Sequence, residues 1–116
     1  MFEEMIRIAK NKLTDVNETA NGLPSPQVTV LLSNNYNTYV AVNDVDGTIC
    51  EELKRDKNTK IVKMLTMWKN GGIDLPSFAF RKALINMDED NNNTDMILQG
   101  KEGYLIKKLA VTMESR

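Results

Sequence analysis

The chain has 116 residues, enough for one small domain with a single two- or three-layer core. Hydrophobic residues make up 41% and charged residues 27%, the balance of an ordinary globular chain, so residues 1–116 read as a single domain. Fifteen basic against sixteen acidic residues leave a net charge of −1, and no basic run exceeds Lys107-Lys108, which argues against a dedicated nucleic-acid surface. No apolar run approaches the roughly 18 residues of a membrane span. The start, Met1-Phe2-Glu3-Glu4, lacks the basic and apolar regions of a signal peptide. The lone Cys50 forms no internal disulfide, and together these features predict a cytoplasmic protein.

In chain order, Phe2, Met5, Ile6, Ala9, Leu13, Val16 and Ala20 recur at three- and four-residue steps and predict one helix with one apolar stripe. Glu3 and Glu4 suit its positive start, and Asn21-Gly22 supplies a left-handed stop. Leu23-Pro24-Ser25-Pro26 is a stiff connector. Residues 27–32 are rich in β-branched side chains and predict a strand. Residues 33–37 have turn composition, and residues 38–42 return as a second strand. Asp46-Gly47 then resets the chain before a short helix. Thr48 is its expected cap with Glu51 as capping-box partner, and Ile49, Cys50 and Leu53 are expected to face inward.

Residues 60–68 admit two readings. A helix is compatible with their methionine and leucine, and would leave an α+β interaction domain with no further resemblance. The strand reading is preferred, because the run is short, bounded by polar and glycine-rich segments, and apolar on both alternating faces, as a covered central strand is. Pro76 suits the first turn of the next helix, with Phe78, Ala79, Ala83, Leu84 and Met87 inward. Residues 88–93 read as a polar loop, and Asp88-Glu89-Asp90 lacks the ligand spacing of a calcium loop. Residues 94–99 and 104–106 flank Gly100-Lys101-Glu102-Gly103, a hairpin signal, and the tail reads as a last strand or a short helix. There is no phosphate-binding glycine loop, and a chain without histidine excludes a histidine-based triad.

Four groups of residues follow one another in an order that resembles the cytidine deaminases. They are Ser25-Pro26-Gln27-Val28 through Leu32, Val42-Asn43, Thr48-Ile49-Cys50-Glu51-Glu52, and Met64-Leu65 through Pro76 and Arg81. The resemblance implies a three-layer α/β, cytidine deaminase-like fold with the order α-β-β-α-β-α-β-β and a mixed central sheet. It also implies roles: Asn43 for a ribose contact, Cys50 for a zinc ligand and Glu52 for the proton shuttle. In that family Pro-Cys-x-x-Cys-Arg supplies two more zinc thiolates. Here the segment reads Pro76-Ser77-Phe78-Ala79-Phe80-Arg81, so Ser77 and Phe80 stand where the thiolates belong. Two further departures are Val45 in place of an acidic residue, with Asp44 beside it, and a shorter segment between Asn43 and Met64.

A phenyl ring cannot ligate zinc, a neutral hydroxyl is a poor ligand, and a catalytic zinc needs three protein ligands and one open position. The expectation is therefore a chain with no metal and no cofactor, acting as a non-catalytic binding or assembly module. A nucleoside-sized pocket for a small planar ligand would be bordered by Asn43, Glu52, Trp68 and Ser77. The resemblance further implies self-association as a homodimer or homotetramer. The alternative is a metal-free enzyme of the same fold that uses Glu52 or Cys50 on a nucleoside or related amine. Each residue has a plainer reading: Cys50 as a small buried hydrophobe, Glu52 as a complement to the helix dipole, Asn43 as turn support, Trp68 as core or interface, and Arg81 as a partner of nearby carbonyls or acids.

Overall fold

The computed structural model describes residues 2–20 and 22–114. Helix α1 (Phe2–Leu13) buries Met5, Ala9 and Leu13. It ends well short of Ala20. Thr14 Oγ1 turns back to the Asn11 carbonyl at 2.7 Å, and the carbonyls of Val16 and Glu18 accept from distant side chains, Lys69 Nζ at 2.7 Å and Asn43 Nδ2 at 2.6 Å. Tertiary hydrogen bonds thus replace the helical ladder, while Val16 stays buried. Asn21, half of the expected stop, lies outside the described residues.

Strands β1 (Gln27–Ser33) and β2 (Thr38–Val42) form an antiparallel hairpin, and α2 (Ile49–Leu53) follows. Residues 61–68 are a strand, β3 (Ile61–Trp68). A two-residue strand, β4 (Gly72–Ile73), was not expected; Gly72, at φ 74°, turns the chain so that Ile73 pairs with Met67. Helix α3 (Phe78–Met87) leads through a 3-10 helix (Glu89–Asn93) to β5 (Asp95–Gly100) and β6 (Gly103–Lys108). The tail is the helical one of its two expected endings, α4 (Leu109–Glu114).

The strands make one mixed sheet in the order β2-β1-β3-β5-β6, with β4 pairing only the end of β3. β1 runs antiparallel to both neighbours, β3 is parallel to β5, and β5 and β6 are antiparallel. Every residue of β1 is buried, as a strand covered on both faces must be. On one face α1 packs over Val28, Val30, Leu32, Leu65, Met67 and Ile97. On the other, Leu31, Ile61, Met64 and Met96 meet Cys50 and Leu53 of α2, Phe80 and Leu84 of α3, and Leu109 of α4. The architecture is therefore a three-layer α/β domain. Among the described residues no helix is long and apolar enough to cross a membrane.

Three local expectations are corrected. Phe78 and Ala79 do not face inward: Phe78 is 41% exposed, whereas Phe80 and Leu84 are fully buried. Pro76 precedes the helix, and Ser77 is its cap, tied to the Val45 carbonyl with Phe80 turned into the core. Thr48 makes no capping bond with its side chain. The polar loop at residues 88–93 is a 3-10 helix whose Asn91 is fully buried. Its Oδ1 accepts from Ile61 N and its Nδ2 donates to the Leu84 carbonyl, both at 2.8 Å, so one side chain ties the start of β3 to the end of α3.

Candidate functional site

Cys50, Ser77, Phe80 and Arg81, the residues of the expected metal corner, lie around the loop between β2 and α2 and the start of α3. Asp44 organises this corner. Its Oδ1 accepts from the Gly47 and Thr48 amides at 2.9 Å and from Thr48 Oγ1 at 3.1 Å, and its Oδ2 accepts from the Ile49 amide at 2.9 Å. One carboxylate thereby caps the short helix in place of Thr48, because its two oxygens satisfy donors that a single hydroxyl cannot. Gly47 is required where it stands. Its φ is 77°, and a Cβ there would lie 2.6 Å from Ala83 Cβ, so α3 packs directly on this loop.

Ser77 closes the same corner from the other side. Its Oγ accepts from the Phe80 amide at 3.0 Å and donates to the Val45 carbonyl. Phe80 sits three residues on and is fully buried in the core that also holds Cys50. Arg81 donates Nε to the carbonyls of Pro76 and Ser77, at 3.2 and 3.3 Å, and Nη1 to that of Thr112 at 2.9 Å, fastening the helix start to α4. Partial burial lowers its pKa.

These residues do not fit zinc. Phe80 offers no donor atom, and the Ser77 hydroxyl spends its proton and a lone pair on backbone groups. Cys50 is 3% exposed, and burial, reinforced by the Asp44 charge, pushes its thiol up to about 11, away from the thiolate that a metal or nucleophilic role requires. Among the described residues no group of three or more histidine, cysteine, aspartate or glutamate side chains is placed to hold a metal ion.

The expected ligand-contacting residues are spread over the molecule. Asn43, at φ 52°, accepts from the Gln27 amide through Oδ1 at 3.0 Å and spends its Nδ2 on Glu18, so it pins the connector after α1 to β1. It lines a hollow beside Val16 and Glu18, whereas the exposed Glu52 lines another with Asp44 and Arg55. Trp68 is half-buried and donates Nε1 to the Leu75 carbonyl at 3.3 Å. It borders a groove of about 460 Å³ under α1, with Lys10, Leu13, Met67, Gln99 and Tyr104.

Sequence reasoning passed over Gln27. Strand alternation sets it on the face of β1 that carries Thr29 and Leu31, opposite Trp68 in the register. Thr29 and Thr66 share a buried hydrogen bond of 2.7 Å there. Gln27 is 1% exposed, yet neither its Oε1 nor its Nε2 meets a partner among the described residues. A buried amide with both ends unmet is costly and can serve a donor and an acceptor side by side. The only signal in the sequence was a long polar side chain at the head of a strand whose other polar residues are small.

No protein-family model matches the chain, and no curated protein matches it significantly. The raised thiol pKa of Cys50 predicts a pH effect. Unfolded, the thiol loses its proton near pH 9; folded, it keeps it to about pH 11. Between those values the folded state binds more protons, so stability falls as pH rises through the window, by up to about 2–3 kcal/mol, and this contribution is absent below it. The stability advantage of the wild type over Cys50→Ala in urea unfolding is expected to shrink between pH 8 and pH 10.5. An advantage that stays constant contradicts the burial argument.

Proposed function

We propose that this chain is a zinc-free protein of cytidine deaminase-like fold that acts as a non-catalytic assembly module. The observation that carries the reading is the use made of Ser77 and Phe80: the first is a helix cap and the second a core side chain. The order of elements from α1 to β6, with β4 and the 3-10 helix as additions, supports the resemblance on which the reading rests. The buried, neutral Cys50 argues against a thiolate nucleophile. Glu52, exposed at the far side of α2, makes no hydrogen bond or ion pair among the described residues that would hold it as a general acid or base. Assembly is favoured over ligand binding because the expected ligand-contacting residues line separate hollows, while the edge strand β6 exposes Tyr104 and Ile106 on one face and Leu105 on the other.

The enzymatic alternative is tested by screening cytidine, related nucleosides and small amines for turnover, with Glu52→Gln as the control. No turnover is expected. Turnover that disappears in Glu52→Gln would overturn the proposal. A second reading, a retained site for a small planar ligand, is favoured by Gln27 alone. Its buried amide beside the Thr29–Thr66 pair has a donor and an acceptor to offer, and a ligand would reach them only if the head of β1 opened.

A further inference from the structure

Among the described residues β6 ends the sheet and pairs only with β5, and all six of its residues are exposed. An unpaired edge is a template for another strand, and proteins commonly blunt it with proline, charge or a bulge. The centre of β6 carries none of these. It reads Tyr104-Leu105-Ile106, exposed by 58%, 40% and 58%, and its register with β5 is uninterrupted.

The hairpin decides which backbone groups the edge presents. With only Lys101 and Glu102 between them, Gly100 and Gly103 form the first hydrogen-bonded pair. Alternation then turns the N–H and C=O groups of Gly103, Leu105 and Lys107 toward β5, and those of Tyr104, Ile106 and Lys108 outward. An antiparallel partner strand must set its own outward residues against these three.

We propose that the partner is a second copy of this chain, joined antiparallel through β6 about a two-fold axis at Leu105. This pairing places Tyr104 opposite Ile106 of the second copy, and Leu105 opposite itself on the other face. It also brings Glu102, in the turn that opens β6, toward Lys108 of the other copy at both ends. Lys108 already meets Asp95 at 2.7 Å and the Asn93 carbonyl at 3.3 Å, and its ammonium has a third donor for Glu102. Shifting the register by one residue sets outward groups against inward ones. A shift of two in either direction loses both Glu102–Lys108 pairs. The strand is thus complementary to itself in one register, which gives a closed dimer with a sheet continuous across both copies.

The inference rests on the assembly reading, and its test separates the two. In a non-hydrogen-bonded antiparallel pair the Cα atoms lie about 4.5 Å apart, within disulfide range, whereas residues two positions off register lie beyond about 7 Å. Leu105→Cys is therefore expected to form a disulfide-linked dimer under mild oxidation on the order of ten times faster than Tyr104→Cys or Ile106→Cys. The native Cys50 is buried and should stay out of the reaction. Sedimentation velocity of the wild-type chain at rising concentration should show a dimer. A wild-type oligomer in which the three variants cross-link alike would overturn this pairing and leave the assembly reading standing. A wild-type chain that remains monomeric would overturn both.

Discussion

Replacing Phe80 with alanine is expected to destabilise the protein by about 3–5 kcal/mol, the usual cost of removing a fully buried aromatic ring. A domain of this size has roughly 5–15 kcal/mol in total, so the loss should lower Tm by on the order of 15 °C and leave a fraction of the chain unfolded at ambient temperature. The physical reason is position. Phe80 is the largest of the fully buried side chains and shares one core with Cys50, Leu53, Met64 and Leu84, against which α2 and α3 both close. The matched control is Phe78→Ala. That ring is 41% exposed, with the Arg81 guanidinium 5.9 Å from its centre, and its loss should cost less than about 1 kcal/mol. Urea unfolding of the two variants checks the contrast. Equal losses would mean that α3 is rotated from the orientation described.

Much of the scaffold could be read from the residues. The strand at 61–68 followed from an apolar run flanked by turn formers, and the Gly100–Gly103 hairpin from its two glycines. The face of α3 could not be read so directly. Ala79, Ala83 and Met87 form one stripe at helical spacing, and Phe80, Leu84 and Met87 another. Ser77 chose between them by taking the cap, with bonds to Val45 and Phe80. The capping of α2 was misassigned because local spacing favoured Thr48, whereas the Asp44 carboxylate reaches three successive amides from four residues upstream of it. Asn91 was invisible because its partners, Ile61 and Leu84, are 30 and 7 residues away, and only the folded chain creates two buried backbone groups for one amide to bridge.

The same limit applied to the candidate site. Motif order pointed to Cys50, Ser77 and Phe80, and folding does place all three around the Asp44 loop. Motif order also suggested that Asn43, Glu52 and Trp68 border one pocket. In the fold, Asn43 is drawn toward Glu18, Glu52 points into solvent on α2, and Trp68 bonds back to Leu75. The Asn43 contact spans 25 residues, and the Trp68 contact depends on how the chain turns back through β4, so neither carries a local signature.

The second large effect is a gain of metal. Cysteines at 77 and 80 would stand one helical turn apart at the start of α3, next to the core position of Cys50. Three thiolates and a water complete the tetrahedral set that zinc prefers. Removing the Phe80 ring costs stability, as above, but structural zinc sites contribute about 10–16 kcal/mol in small peptides, which exceeds that loss. Binding should also reverse the protonation of Cys50, since a coordinated thiol gives up its proton.

The decisive measurement is the zinc content, per folded chain, of Ser77→Cys/Phe80→Cys after refolding with zinc and dialysis, beside the same variant carrying Cys50→Ala. If the chain is a deaminase-like scaffold whose metal corner has been filled by packing, the first binds one zinc per chain and the second retains none. A folded double variant that stays zinc-free, or zinc retained equally without Cys50, would contradict that account.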